Sequence, residues 1–188
     1  MPCHPPLPLP LSAQSATALP RALLQPSLRP VEDADHERLL DLYRATHRVS
    51  HEALSHLPQD AVRALLAMQL HAQAASFRRR FPGAEFYVVC DQYGHVMGRL
   101  TVARDGADWH LLDMALLPEY RGYGWGTALI EWLQGKAAAS NGSVQLIVAR
   151  GGAARQLYRR TGFVVSGQRE SEVVMHWRPD QHEACDQP

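Results

Sequence analysis

Cysteine is scarce in this sequence, and neither sign of charge is in excess. The three cysteines, Cys3, Cys90 and Cys185, stand far apart. They form neither a disulfide framework nor a metal-binding spacing, so no metal is expected. A reducing, cytoplasmic setting is the expected compartment. Lys+Arg and Asp+Glu both number 19, which makes the formal net charge zero. No basic stripe stands out, and nucleic acid is not an expected partner. The triplet Arg78, Arg79 and Arg80 closes a helical pattern, where cations complement the helix dipole. No apolar run approaches the ~18 residues of a membrane span, so no membrane association is expected. The N-terminus lacks a charged region ahead of its apolar residues, and prolines interrupt it. That argues against a signal peptide. No internal repeat is visible.

What is present reads as one globular domain. The chain has 188 residues, 46% hydrophobic and 20% charged, enough to bury a core. Prolines at positions 2, 5, 6, 8, 10 and 20 mark residues 1–27 as a Pro-rich, disordered lead-in. The ending "PDQHEACDQP" marks residues 179–188 as a loose tail. The folded domain is expected over residues 28–178.

The order of elements follows from pattern. "SLRPVEDADHERLLDLYRATH" predicts a short strand, a turn and a helix, with Leu39, Leu40, Leu42 and Tyr43 as its apolar stripe. Asp33 and Asp35 are its candidate N-caps. His47, His51 and His56 fall in a polar connection and read as solvated loop residues. Pro58 opens a long helix to about Arg80, with Val62, Leu65, Leu66, Met68 and Leu70 apolar. "EFYVVC" and "HVMGRLTVA" flank "DQYG", a hairpin signature. Val96, Gly98, Leu100 and Val102 alternate as one buried strand face. Residues 109–117 are almost continuously apolar, which predicts a central strand buried on both faces. A glycine turn, a helix to about Ser140 and an Asn141-Gly142 stop follow. "SVQLIVA" predicts another buried strand, "ARQLYRRTGF" a helix closed by Gly162, and "FVVSGQ" with "EVVMHW" a closing pair.

The turn between strand and helix carries the chemistry. "LPEYRGYGWGTALIEWL" packs Gly122, Gly124 and Gly126 just ahead of a helix. Such a turn sets free backbone N–H groups at the positive helix end, an anion site. A P-loop requires GxxxxGK[ST], and no lysine stands there. A Rossmann fingerprint requires GxGxxG and an acidic residue ending the next strand; here Gly126 is misplaced and Arg150 stands at that end. Arg121-x-x-Gly124-x-Gly126 resembles the pyrophosphate loop of the GNAT superfamily, the acyl-CoA-dependent N-acyltransferases. "ARQLYRRTGF" resembles that family's second signature, and "LRPVEDADHERLLDLY" its first strand and helix. The order of elements extends the resemblance over roughly residues 28–177.

The resemblance implies an α/β (α+β) GNAT fold: a mixed, mostly antiparallel sheet with a splayed parallel strand pair and flanking helices. It implies acetyl-CoA as cosubstrate, its pantetheine arm on the strand edge at Met114, Ala115 and Leu116. Its pyrophosphate would lie on the loop of Arg121, Gly122, Tyr123, Gly124, Trp125, Gly126 and Thr127. Missing Cβ atoms at the three glycines would let phosphate oxygens approach. An N–H near Leu116 would polarise the thioester carbonyl, and Tyr158 stands where the family's general acid stands. The acceptor implied is a small-molecule amine or a protein amino group, and dimers are common in the family.

Two departures concern the base. Gln145, Leu146, Ile147 and Val148 occupy the strand where some members carry a Glu, and Gly151-Gly152 replaces an Asn found in many. Asp113 is either the base or the partner of a facing Arg99 across a hairpin at 105–107; the pair is the favoured reading. A degenerate acyl-CoA sensor without turnover is the alternative to an enzyme.

Overall fold

β-Branched and aromatic residues crowd the runs at 85–90, 96–105 and 144–149, and turn glycines bound them, which favours extended chain. A computed structural model of the chain describes residues 26–46 and 57–179. Residues 1–25 of the predicted lead-in, the three loop histidines, Cys3, Cys185 and most of the tail lie outside those residues, whereas Ser27, the last residue of that lead-in, already belongs to the first strand. Among the described residues there are seven strands: β1 (Ser27–Pro30), β2 (Glu85–Cys90), β3 (Val96–Asp105), β4 (Asp108–Leu116), β5 (Val144–Ala149), β6 (Val164–Gln168) and β7 (Glu172–Trp177). Four helices accompany them: α1 (His36–Thr46), α2 (Gln59–Arg80), α3 (Trp125–Ala138) and α4 (Ala154–Arg160).

The strands form one sheet in the order β1-β2-β3-β4-β5-β7-β6. Every neighbouring pair is antiparallel except β4 and β5. The expected mixed, mostly antiparallel sheet with one parallel pair and flanking helices is therefore present. Helix α1 packs Leu39 and Leu42 against Val88 and Val96 on one face. Helix α3 packs Leu129, Ile130 and Leu133 against Leu100, Val102 and Leu146 on the other. Full burial of each such side chain stabilises the fold by roughly 1.5–3 kcal/mol.

Three expectations about burial are corrected. The strand buried on both faces is β3, whose residues from Val96 to Ala103 are all buried; β4 is only half-buried beyond Leu111. Continuous apolarity marked β4 as central, but its partner β5 departs and leaves one edge open. Strand β5 is also not a buried strand throughout, since Ile147 is 40% exposed. On α2 only Leu66 is buried, and Met68 is 62% exposed. Val62 and Leu70 are partly buried against Leu40, Tyr43 and Leu66, and Leu70 also lines a cavity.

Turns are set by glycine where the backbone demands it. The stop after α3 has Asn141 at φ 49, and Gly142 lies so close to the β3–β4 turn that a Cβ would sit 1.8 Å from Ala107 O. Ser143 then donates both N–H and hydroxyl to Asp108, at 2.8 and 2.6 Å. These contacts bring the start of β5 alongside the start of β4.

Candidate active site

The parallel pairing of β4 and β5 lasts three residues: Trp109, His110 and Leu111 with Val144, Gln145 and Leu146. Beyond it both strands continue without each other, β4 to Leu116 and β5 to Ala149. A register shift between Thr101 and Val102 gives β4 one extra residue at Leu112, a bulge that bends the strand. After it the hydrogen-bonding direction is fixed by Leu117, whose N–H donates to Met97 O at 2.9 Å. By two-residue alternation, the N–H groups of Met114 and Leu116 face away from β3, into the gap left by β5. The structure thus exposes the backbone edge that the sequence singled out at Met114, Ala115 and Leu116.

Gly98 permits the close seating of that edge. It lies opposite Leu116 on β3, and a Cβ there would stand 2.5 Å from Ala115 O and 2.7 Å from Leu116 Cδ2. Sequence reading had placed Gly98 only in an alternating buried face. A glycine inside a strand is itself the signal of close backbone approach.

The glycine turn leads from this edge to α3. Gly122 and Gly124 have φ of 84 and 94, a left-handed conformation that glycine adopts without penalty. Gly124 caps α3, and the first helical bond runs from Ala128 N–H to Gly124 O at 3.0 Å. The N–H groups of Trp125, Gly126 and Thr127 precede that bond and lack helical partners, so the positive helix end is open. A Cβ on Gly122 would meet nothing within 4 Å, whereas one on Gly126 would meet Leu157 Cδ2 of α4 at 3.1 Å. Gly122 borders free space; Gly126 serves the packing of α3 on α4. Arg121 donates from Nε to Leu116 O at 2.8 Å, fastening the loop to the end of β4. Tyr123 is exposed, and Trp125 packs on the core.

Tyr158 comes from α4, which Gly162 ends at φ 86. The side chain is buried, its ring 5.7 Å from that of Phe163. Its hydroxyl makes no hydrogen bond to the described residues. Burial, and secondarily the charge of Asp113, pushes its pKa up to about 12.

Asp113 is bound by Arg99, Nε to Oδ2 at 2.5 Å. The pair expected from sequence is present, but its register is different. The bulge sets Asp113 opposite Thr101, and Arg99 opposite Ala115, so the ion pair runs diagonally. Arg99 also donates to Gln73 Oε1 of α2 at 3.3 Å and lies 5.4 Å from the Tyr43 ring. Gln73 was not singled out in the sequence. Nothing local to "AQAAS" marks a residue whose partner lies 26 positions away.

Among the described residues no cluster of His, Cys, Asp and Glu could hold a metal ion, and no helix is long and apolar enough to cross a membrane.

An open backbone edge leads towards a glycine-capped helix end within a mixed seven-stranded sheet. Residues 82–165 match the family model described as an acetyltransferase (GNAT) domain. Solved structures agree in fold. The PaiA N-acetyltransferase of Thermoplasma acidophilum, in complex with coenzyme A, superposes with a TM-score of 0.58 at 16% identity, covering 82% of this chain and 99% of that one. A histone acetyltransferase HPA2 and related acetyltransferase of Corynebacterium glutamicum gives 0.55 at 25% identity, covering 82% and 97%. The spermidine N-acetyltransferase of Vibrio cholerae, with CoA and spermine, gives 0.54 at 18% identity, covering 85% and 98%. No curated protein matches the chain.

Proposed function

We propose that this protein transfers an acetyl group from acetyl-CoA to a primary amine, of a small molecule or a protein, by direct attack in a ternary complex. The observation that carries this reading is the unpaired stretch of β4, residues 112–116, delivered straight into the open N-terminus of α3. A pantetheine arm has amide groups that can pair with the edge at Leu116 as an added strand would. A pyrophosphate suits the free N–H groups of Trp125, Gly126 and Thr127 and the open space at Gly122.

In this reading the amine nitrogen attacks the thioester carbonyl carbon, and the C–S bond breaks. The Met114 N–H, the gap-facing donor farther from the phosphate turn, stabilises the carbonyl oxygen as negative charge develops there. Tyr158 donates a hydrogen bond to the departing sulfur. Full proton transfer from a phenol near pKa 12 to a thiolate of pKa ~8.5 is uphill by about 5 kcal/mol, so the thiolate takes its proton from water. Asp113 is held by Arg99 and is a structural partner, not a base. The amine releases its proton to solvent.

Free-thiol release from acetyl-CoA over a panel of primary amines tests the assignment. Turnover with at least one amine is expected. Tight CoA binding with no turnover on any amine would instead favour a sensor.

A further inference from the structure

Between α1, α2 and the sheet lies a half-open cavity of ≈ 770 Å³, inside the ~300–1,000 Å³ range of small-molecule sites. Its roof is one face of α2, where Leu70, Gln73, Ala74 and Phe77 recur at helical spacing. Its floor is a row across the sheet. Asp113 of β4 lies opposite Thr101 of β3, Thr101 opposite Phe86 of β2, and Phe86 O accepts from Val31 N–H. Strands stand ~4.8 Å apart, so the row from Asp113 to Phe86 spans about 10 Å.

The two ends of this row differ in chemistry. At the β4 end lie Asp113, Arg99, Thr101 and Gln73, joined by the hydrogen bonds of Arg99. This end borders the unpaired stretch of β4, and Asp113 belongs to both. At the other end Phe86 carries the Arg78 guanidinium 4.4 Å above its ring, and Phe77 precedes that arginine on α2. Val31, whose N–H donates to Phe86 O, adds apolar surface there, and Leu39 and Leu70 also line the cavity. Charge does not select a polycation. Arg99 neutralises Asp113, and the other two lining carboxylates, Glu32 and Asp33, are exposed to solvent.

We infer that this cavity takes the acceptor, a primary amine carried on an apolar, ring-containing body. The amine lies at the Asp113 end, beside the free edge of β4, and the ring lies against Phe86 and Phe77. The choice of reactive end rests on the acyl-transfer reading above; the fit of an aromatic body rests on the cavity walls alone. A two- to four-carbon tether between ring and nitrogen matches the ~10 Å row.

Two probes test it: 2-phenylethylamine and 1,4-diaminobutane. Calorimetric binding to the full chain, with and without CoA, is measured beside kcat/KM with acetyl-CoA. The arylalkylamine should bind at least tenfold more tightly and turn over with at least tenfold higher kcat/KM. Ala74→Phe fills the roof, so it should weaken 2-phenylethylamine at least tenfold while Tm does not fall and CoA affinity is unchanged. Phe77→Ala, at a half-buried site, should weaken it similarly and stands in if the first variant misfolds. Equal or tighter diamine binding, or 2-phenylethylamine binding unmoved by both variants, overturns the inference. Binding of 2-phenylethylamine without turnover of any amine upholds the cavity assignment and removes acyl transfer. Turnover of other amines without such binding does the reverse.

Discussion

The Tyr158 phenol keeps its proton far into the alkaline range, because burial pushes its pKa up to about 12. In the proposed reaction its role is donation, and no alkaline loss of rate below that pH should arise from its ionisation. Tyr158→Phe removes one oxygen and keeps the ring against Phe163. The rate should fall about 10²-fold, the low end of the ~10²–10⁴ range for acid–base groups, with the KM for acetyl-CoA little changed. Steady-state rates over pH 6–10 check both points; equal rates for the two proteins would reduce Tyr158 to a core tyrosine. Gly98 calls for a different test. Its added Cβ would press on Ala115 O at 2.5 Å, and backbone cannot rotate away. Gly98→Ala should destabilise by ~1–3 kcal/mol and raise the KM for acetyl-CoA about tenfold, while Gly135→Ala, on the open side of α3, should do neither. Tyr158 stood out in the sequence because a signature surrounds it. Gly98 was visible as a residue, but its function depends on a strand 18 positions downstream, and strand alternation alone does not report that distance.

Elements were legible where local signals act. Pro58 caps α2 and Gly162 ends α4, each within a residue of expectation. The placement of β7 between β5 and β6 was not legible, because pairing order is decided by which faces bury together. The continuous apolar run of β4 likewise did not reveal whether its second edge meets a strand or a gap. Asp35, expected as a cap, accepts from Glu32 N–H at 2.9 Å and also binds Arg29 of β1 through two bonds of 2.7 and 2.6 Å. That carboxylate ties the entry of α1 to the edge strand. Its hydrogen bonds to Arg29 hold its pKa below the ordinary 3.8, against the opposing effect of burial. A lowered folded-state pKa means the pair contributes fully above that ordinary value and is lost as pH falls through the folded one. Asp35→Asn should cost about 1–3 kcal/mol at pH 7, and the deficit should shrink toward zero as pH drops below 3.8. Urea unfolding of both proteins at pH 7 and pH 3 measures it; a constant deficit would mean the charge is irrelevant.

At the scale of the whole molecule, the family match covers residues 82–165, from β2 to β6. Helices α1 and α2 lie outside that span, and they supply most of the cavity's roof and wall. On the proposed reading, the matched part carries the acyl-donor edge and the floor of the acceptor cavity, and the part outside it supplies most of that cavity's roof and wall. Ligand binding to the donor edge should be felt globally. CoA at ~100 times its Kd should add about 2.7 kcal/mol, or roughly 5–10 °C in Tm for a domain of this size. Gly124→Val replaces a residue at φ 94 and should abolish that gain. A normal CoA shift in the variant would show that the turn is not the phosphate site.

The three-residue seam between β4 and β5 also leaves a trace in solvent exchange. Leu117 N–H is bonded to Met97 O, while the amides of Met114 and Leu116 face the gap. Deuterium uptake should then alternate along one strand, slow at Leu117 and fast at its neighbour Leu116, although both lie near the middle of a sheet. Saturating CoA should slow Met114 and Leu116 and leave Leu117 where it was, so that the alternation disappears. A strand whose protection pattern is completed by its substrate reads out occupancy amide by amide, with no need for turnover.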